Sequence, residues 1–117
     1  MDYDTYDLDR RPCVVLTTAP DEAVAADLAR MLVEQRLAAC VTRFSGAISL
    51  YRWQGKVAEE VEVQLLVKTT RSRLAEVTSA LAACHPYDEP EVIVLDAAGG
   101  SPGYLGWIEE ETTEAVE

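Results

Sequence analysis

Residues 49–70 read SLYRWQGKVAEEVEVQLLVKTT, and their alternation limits the possible folds more than any other stretch of the chain. Val57, Val61, Val63, Leu65 and Val67 point one way, while Ala58, Glu60, Glu62, Gln64 and Lys68 point the other. A period of two is what a strand with one face on a core requires. Gln54-Gly55 is a two-residue turn signal, so AISLYRW before it becomes the antiparallel partner of a hairpin. In that register Trp53 opposes Lys56, Tyr51 opposes Ala58 and Ser49 opposes Glu60. Tyr51 and Trp53 then share a face with Glu60 and Glu62, and with Lys68 further along.

The hairpin is too long for a lone domain. Residues 57–69 span ~43 Å at ~3.3 Å per residue. A compact chain of this size has a radius of gyration of ~13 Å and a diameter of ~35 Å. The ribbon is therefore expected to bend, with Ser45-Gly46 suited to a bulge, or to run past the body, where its edge invites another chain. Two large aromatics on a face that no helix covers suit an interface between copies, a ligand platform, or both.

The remaining elements follow from local pattern. PCVVLTTA (12–19) is a short β-branched run expected to form a buried strand. Pro20 suits a first helical position and Asp21 and Glu22 a helix start, while Val24, Leu28, Met31 and Leu32 form one apolar stripe, predicting a helix over 20–36. A second strand begins at 38–44 and continues past Ser45-Gly46. Residues 71–84 carry Leu74, Val77 and Leu81 at helical spacing, and Pro86 ends that helix by excluding helical geometry at the residue before it. EVIVLDA (91–97) predicts a fourth strand, and a glycine-rich loop leads to a short helix over 103–111. The order β-α-β-β-α-β plus a tail is an α+β, ferredoxin-like sandwich whose helices cover one sheet face only.

Charge narrows the function. The chain carries a net charge of -11, but residues 1–9 hold four Asp and residues 109–117 five Glu. The stretch between them is nearly neutral, which argues against a nucleic-acid footprint. The acidity sits in the ends, so 1–11 and 113–117 are read as solvated, flexible tails around a domain at 12–112. No apolar run reaches the ~20 residues of a membrane span, and the acidic start lacks a secretory signal. A cytoplasmic protein is expected.

Cys13, Cys40 and Cys84 are odd in number and far apart, and no CxxC or HxxxH spacing is present, which argues against a disulfide framework or a closed zinc site. His85, the only histidine, follows Cys84 and precedes Pro86. Its imidazole is a metal ligand by type, and equally a helix-end residue that meets the last carbonyls. No GxSxG, HExxH or P-loop pattern is present, and Cys40–His85 is the one nucleophilic pair worth testing, so no enzyme is expected.

The blocks TTAPDEAVAADLARMLVEQRLAACV, SLYRWQGKV, EVQLLVKTT, HPYDEPEVIVL and YLGWI together closely resemble the CutA family, the divalent-cation tolerance proteins, over residues 13 to 108. The resemblance implies a ferredoxin-like subunit in a tight homotrimer, similar in architecture to PII signalling proteins. It also implies a link to metal tolerance, with copper or another divalent cation as the ligand and no organic cofactor. Carried over residue by residue, it points to Cys40, His85 and Glu62 as candidate metal ligands, and a site assembled between subunits, at an intersubunit cleft, would take its carboxylate from Glu60 or Glu62. Tyr51, Trp53, Lys68, Thr69, Tyr87 and Trp107 fall in its remaining blocks as ligand-binding or interface residues. Thr17 stands where some members carry a cysteine, so one soft ligand is missing and a copper-specific reading is weakened. The alternative is a regulatory or scaffolding trimer that binds a small anion, a nucleotide or a partner protein. Lys68 favours the anion, and Glu60 and Glu62 favour the cation.

Overall fold

The computed structural model describes residues 9–113; the greater part of the two expected acidic tails lies outside the described residues. Eight residues open the sheet as β1 (Pro12–Ala19). They are followed by α1 (Glu22–Glu34), β2 (Cys40–Trp53), β3 (Lys56–Thr70), α2 (Leu74–Cys84), β4 (Ile93–Asp96) and α3 (Pro102–Glu111). The strands form one antiparallel sheet in the order β2-β3-β1-β4. The expected α+β order is observed, including the expected C-terminal helix, which starts one residue earlier, at Pro102.

Local chemistry sets the element ends. Asp21 Oδ1 accepts from the Val24 N–H at 2.9 Å, so Asp21 is the N-cap and α1 begins at Glu22 rather than at Pro20. The helix closes at Glu34, two residues short of the expected end, because Arg36 takes a left-handed φ of 58°. The first three residues expected in the second helix, Arg71–Arg73, form a 3-10 turn ahead of α2. Fewer residues than the expected 91–97 make up β4. The reason is a competing donor: β4 pairs with β1 only as far as Leu16, and His85 Nε2 already sits 2.6 Å from the Thr18 carbonyl. Arg11 is tied to the body, its carbonyl accepting from the Arg71 N–H at 3.0 Å.

Helices α1 and α2 cover one face. Leu28, Leu32, Val77 and Leu81 pack on Val15, Ala19, Val63, Leu65 and Val67 to form the core. On the opposite face α3 covers one end, burying Leu105 and Ile108, and Thr112 beyond it joins Thr70 through their hydroxyls.

The hairpin has the expected register, with Trp53 opposite Lys56, Tyr51 opposite Ala58 and Ser49 opposite Glu60. A register shift falls between Phe44 and Ala47, with Gly46 at φ 77°. The bulge lies in β2 only, so β3 alternates without interruption and Lys68 shares its face with Glu60 and Glu62. Ser45 Oγ and Arg43 Nη1 both engage Glu22, fastening the bulge to the first turn of α1. Beyond it the ribbon runs past the body as an arm, and the molecule measures 46 × 30 × 22 Å with a radius of gyration of 15.2 Å.

The helices do not reach the arm. Val57 and Val61 face the same way as core residues Val63 and Leu65, yet they, Ile48 opposite Val61, and Leu50 opposite Glu59 are 61 to 68 % exposed. These four side chains form an exposed apolar patch on the helix side, interleaved with Glu59 and Arg52, and Tyr51 and Trp53 lie on the reverse.

Candidate functional site

The site begins where α2 stops. Pro86 holds His85 in extended geometry (φ -82°, ψ 140°), and the His85 N–H still closes the helix on the Leu81 carbonyl at 2.9 Å. The imidazole is 8 % exposed and has partners at both nitrogens. Nδ1 accepts from the Tyr87 N–H at 3.1 Å, and Nε2 lies 2.6 Å from the Thr18 carbonyl. A carbonyl can only accept and an amide N–H can only donate, so these partners assign the proton to Nε2. In the single chain His85 is therefore a junction residue that binds α2, β1 and the following turn together.

The turn positions Tyr87. Its ring centroid lies 4.8 Å from that of His85, and its hydroxyl donates to Glu62 Oε2 at 3.0 Å. Burial, then the bond to Glu62 and the charges of Glu62 and Glu60, push the Tyr87 phenol up to about 12. A hydrogen bond with Glu60 is the main cause that raises the Tyr51 phenol. Glu60 and Glu62 are two apart on β3 and so point from the same face. Each has a phenol for company, and Glu62 is 92 % buried, at 8 % exposure. Among the described residues neither carboxylate has a Lys or Arg ion-pair partner.

The other expected ligand lies elsewhere. Cys40 opposes Lys68 in the β2–β3 register, its sulfur 3.9 Å from Thr42 Oγ1. His85 meets Thr18, which pairs with Gln64, four residues along β3 from Lys68. That offset is ~13 Å along a strand, so Cys40 and His85 of one chain neither share an ion nor form a nucleophilic pair. No group of three or more His, Cys, Asp or Glu among the described residues is arranged to hold a metal. The donors one chain does bring together are carboxylate and phenol oxygens, which suit harder divalent cations and fit copper poorly.

Thr69 corrects an expectation. It points to the helix side, is fully buried, and donates to the Leu37 carbonyl at 2.6 Å; it is unavailable to a ligand. Lys68 and Trp107 belong to a second cluster. Lys68 Nζ donates to the Tyr104 hydroxyl at 3.3 Å and sits 5.7 Å from that ring's centroid, and the Tyr104 and Trp107 rings are 5.5 Å apart. Tyr104 escaped the residue-by-residue reading, although the YLGW block contains it. Trp53 lies near the arm's tip opposite Lys56 and is mostly exposed.

The fold and these placements can be set beside known proteins. The family model described as CutA1 divalent ion tolerance protein matches residues 13–111. This chain belongs to the CutA1 family. The divalent-cation tolerance protein CutA of Thermus thermophilus is 48 % identical over 99 residues, 85 % of this chain and 96 % of that protein. The crystal structure of CutA from Xylella fastidiosa superposes with a TM-score of 0.86 at 43 % identity, covering 88 % of this chain and 99 % of that one. A CutA structure from Archaeoglobus fulgidus, described as periplasmic, gives 0.85 at 32 % identity, with 87 % and 99 % covered. CutA1 relatives therefore share both the α+β sheet and its helices with this chain. No helix among the described residues is long and apolar enough to cross a membrane.

Proposed function

We propose that this CutA1 chain serves divalent-cation tolerance as a homotrimer that binds a cation on its arm, and that its role is binding rather than catalysis. The observation that carries the reading is the Glu60–Glu62 pair: two carboxylates on one face, steadied by Tyr51 and Tyr87, with no described Lys or Arg to neutralise them. Carboxylates so placed attract a cation. The exposed apolar side chains Ile48, Leu50, Val57 and Val61, set among Glu59 and Arg52, support assembly, since an uncovered ribbon of this kind invites another copy; the number three comes from the family resemblance.

Glu62 and Glu60 are the primary ligands in this reading. Cys40 joins only from a neighbouring subunit, and His85 only by releasing the Tyr87 N–H from Nδ1. Copper is then taken when both soft donors are recruited, and an oxygen-preferring divalent ion otherwise. The reading places the protein in the cytoplasm, where Cys13, Cys40 and Cys84 stay free.

Isothermal titration with copper(II), zinc(II), manganese(II) and magnesium(II) tests the assignment. Binding should fall about tenfold or more in Glu62→Gln and Glu60→Gln. His85→Ala and Cys40→Ser should weaken copper selectively. Full-strength binding in the double Glu60→Gln, Glu62→Gln variant would overturn the site, and a monomer mass by light scattering would overturn the assembly.

A further inference from the structure

The second cluster is unlike the first in charge. Lys68 Nζ has the neutral Tyr104 hydroxyl and ring as its described partners, and no described carboxylate forms an ion pair with it. An ammonium has three donors, so two remain after Tyr104 is served. The Tyr104 oxygen accepts from Lys68, which leaves its own O–H proton free to donate in the same region. Tyr104 also belongs to the first turn of α3, a helix of ten residues. That turn contains no acid, and the Ser101 side chain makes no capping bond. The helix therefore adds its positive end to the ammonium, an arrangement that favours an anion. Gly103 in the same turn has open space where a side chain would stand. Beside these donors lie two aromatic rings, Tyr104 at 44 % and Trp107 at 39 % exposure.

From this arrangement we infer that Lys68, Tyr104 and Trp107 form a subsite for a small flat anion, a carboxylate or phosphate carried on an aromatic ring. The anionic group takes the Lys68 ammonium and the Tyr104 hydroxyl, and the ring lies against the Tyr104–Trp107 pair. The subsite is separate from the carboxylates on the arm: Lys68 and Glu62 are six residues apart on β3, ~20 Å along the strand. It stands on the Lys68 cluster alone, and failure of the cation titration leaves it untouched.

The test is calorimetric titration of the full-length protein with benzoate, phenyl phosphate, inorganic phosphate and phenol. Benzoate or phenyl phosphate should bind saturably in the millimolar range or tighter, the better of the two identifying the anionic group. Phosphate and phenol, each offering half of the recognition, should bind about tenfold more weakly. Lys68→Gln should weaken the aromatic anion by about tenfold or more while Lys68→Arg keeps most of the affinity. Trp107→Leu should weaken benzoate but leave inorganic phosphate unchanged. The inference is overturned if neither aromatic anion saturates, as happens when a neighbouring subunit's carboxylate already holds Lys68. It is equally overturned if a folded Lys68→Gln protein, checked by circular dichroism, binds them as well as the wild type does.

Discussion

The Tyr87 hydroxyl donates to Glu62 Oε2 at 3.0 Å, joining the turn after α2 to the centre of β3. This one bond ties the helical layer to the face that carries the carboxylates. It also makes the titration of Tyr87 a reporter of the site. The phenol, ordinarily at 10.0, is pushed to about 12, first by burial and then by Glu62. A raised folded value means that the stabilisation is fully present below pH 10 and is lost as pH climbs through 12. Ultraviolet titration should show Tyr51 and Tyr87 ionising above the ordinary phenol range, and the component near pH 12 should disappear in Tyr87→Phe. In Glu62→Gln that component should ionise earlier but remain above the ordinary value, because burial, the larger cause, persists.

The arm predicts a separation of folding from assembly. In a single chain Leu50 and Val61 are mostly solvent-exposed, so Leu50→Ser with Val61→Ser should change the stability of the isolated subunit by no more than ~0.5 kcal/mol each. The particle mass from light scattering should nevertheless drop towards 12.8 kDa. Trp53→Ala follows the same logic: Trp53 is 63 % exposed in the single chain, so its cost should appear as a midpoint that falls on dilution.

Thr17 carries a buried hydroxyl without a hydrogen-bond partner. An unmet polar group in a core costs about 1–3 kcal/mol. Thr17→Val keeps the shape and removes the hydroxyl, so thermal unfolding should move to higher temperature. A fall in the midpoint would mean that the hydroxyl finds a partner, such as a buried water, in solution.

At the hairpin turn, Gln54 and Gly55 have φ values of 49° and 77°. Both central residues are left-handed, the geometry for which Asn-Gly is favoured over Gln-Gly. Gln54→Asn should raise stability by about 0.5–1 kcal/mol without altering the fold. Urea unfolding at equal protein concentration measures it.

The three thiols should react in order of access. Cys84 is exposed, Cys40 intermediate and Cys13 buried, and burial followed by the Asp96 charge pushes the Cys13 thiol up to about 11. Mass-resolved alkylation at neutral pH should label Cys84 first and Cys40 next, with Cys13 reacting only after unfolding.

Sequence alone determined the elements whose signal is local. Period-two alternation around Gln54-Gly55 set the hairpin and its register residue by residue, because a slip of one would have put Glu60 and Glu62 where Val61 and Val63 belong. Pro86 set the end of α2, and the block order identified the family. Tertiary structure decided what depends on where one element stops relative to another. Val57 and Val63 follow the same pattern, yet only Val63 lies under a helix, since the layer of α1 and α2 ends before the arm does. His85 reads as a metal ligand by residue type, but Thr18 and Tyr87, brought from opposite sides in sequence, occupy both its nitrogens. Cys40 and His85 are kept apart by the β2–β3 register, and Tyr104 gains its meaning only when α3 lays it against Lys68. Alternation is written along one strand, whereas coverage and partner choice depend on the finite lengths of neighbours far away in the chain.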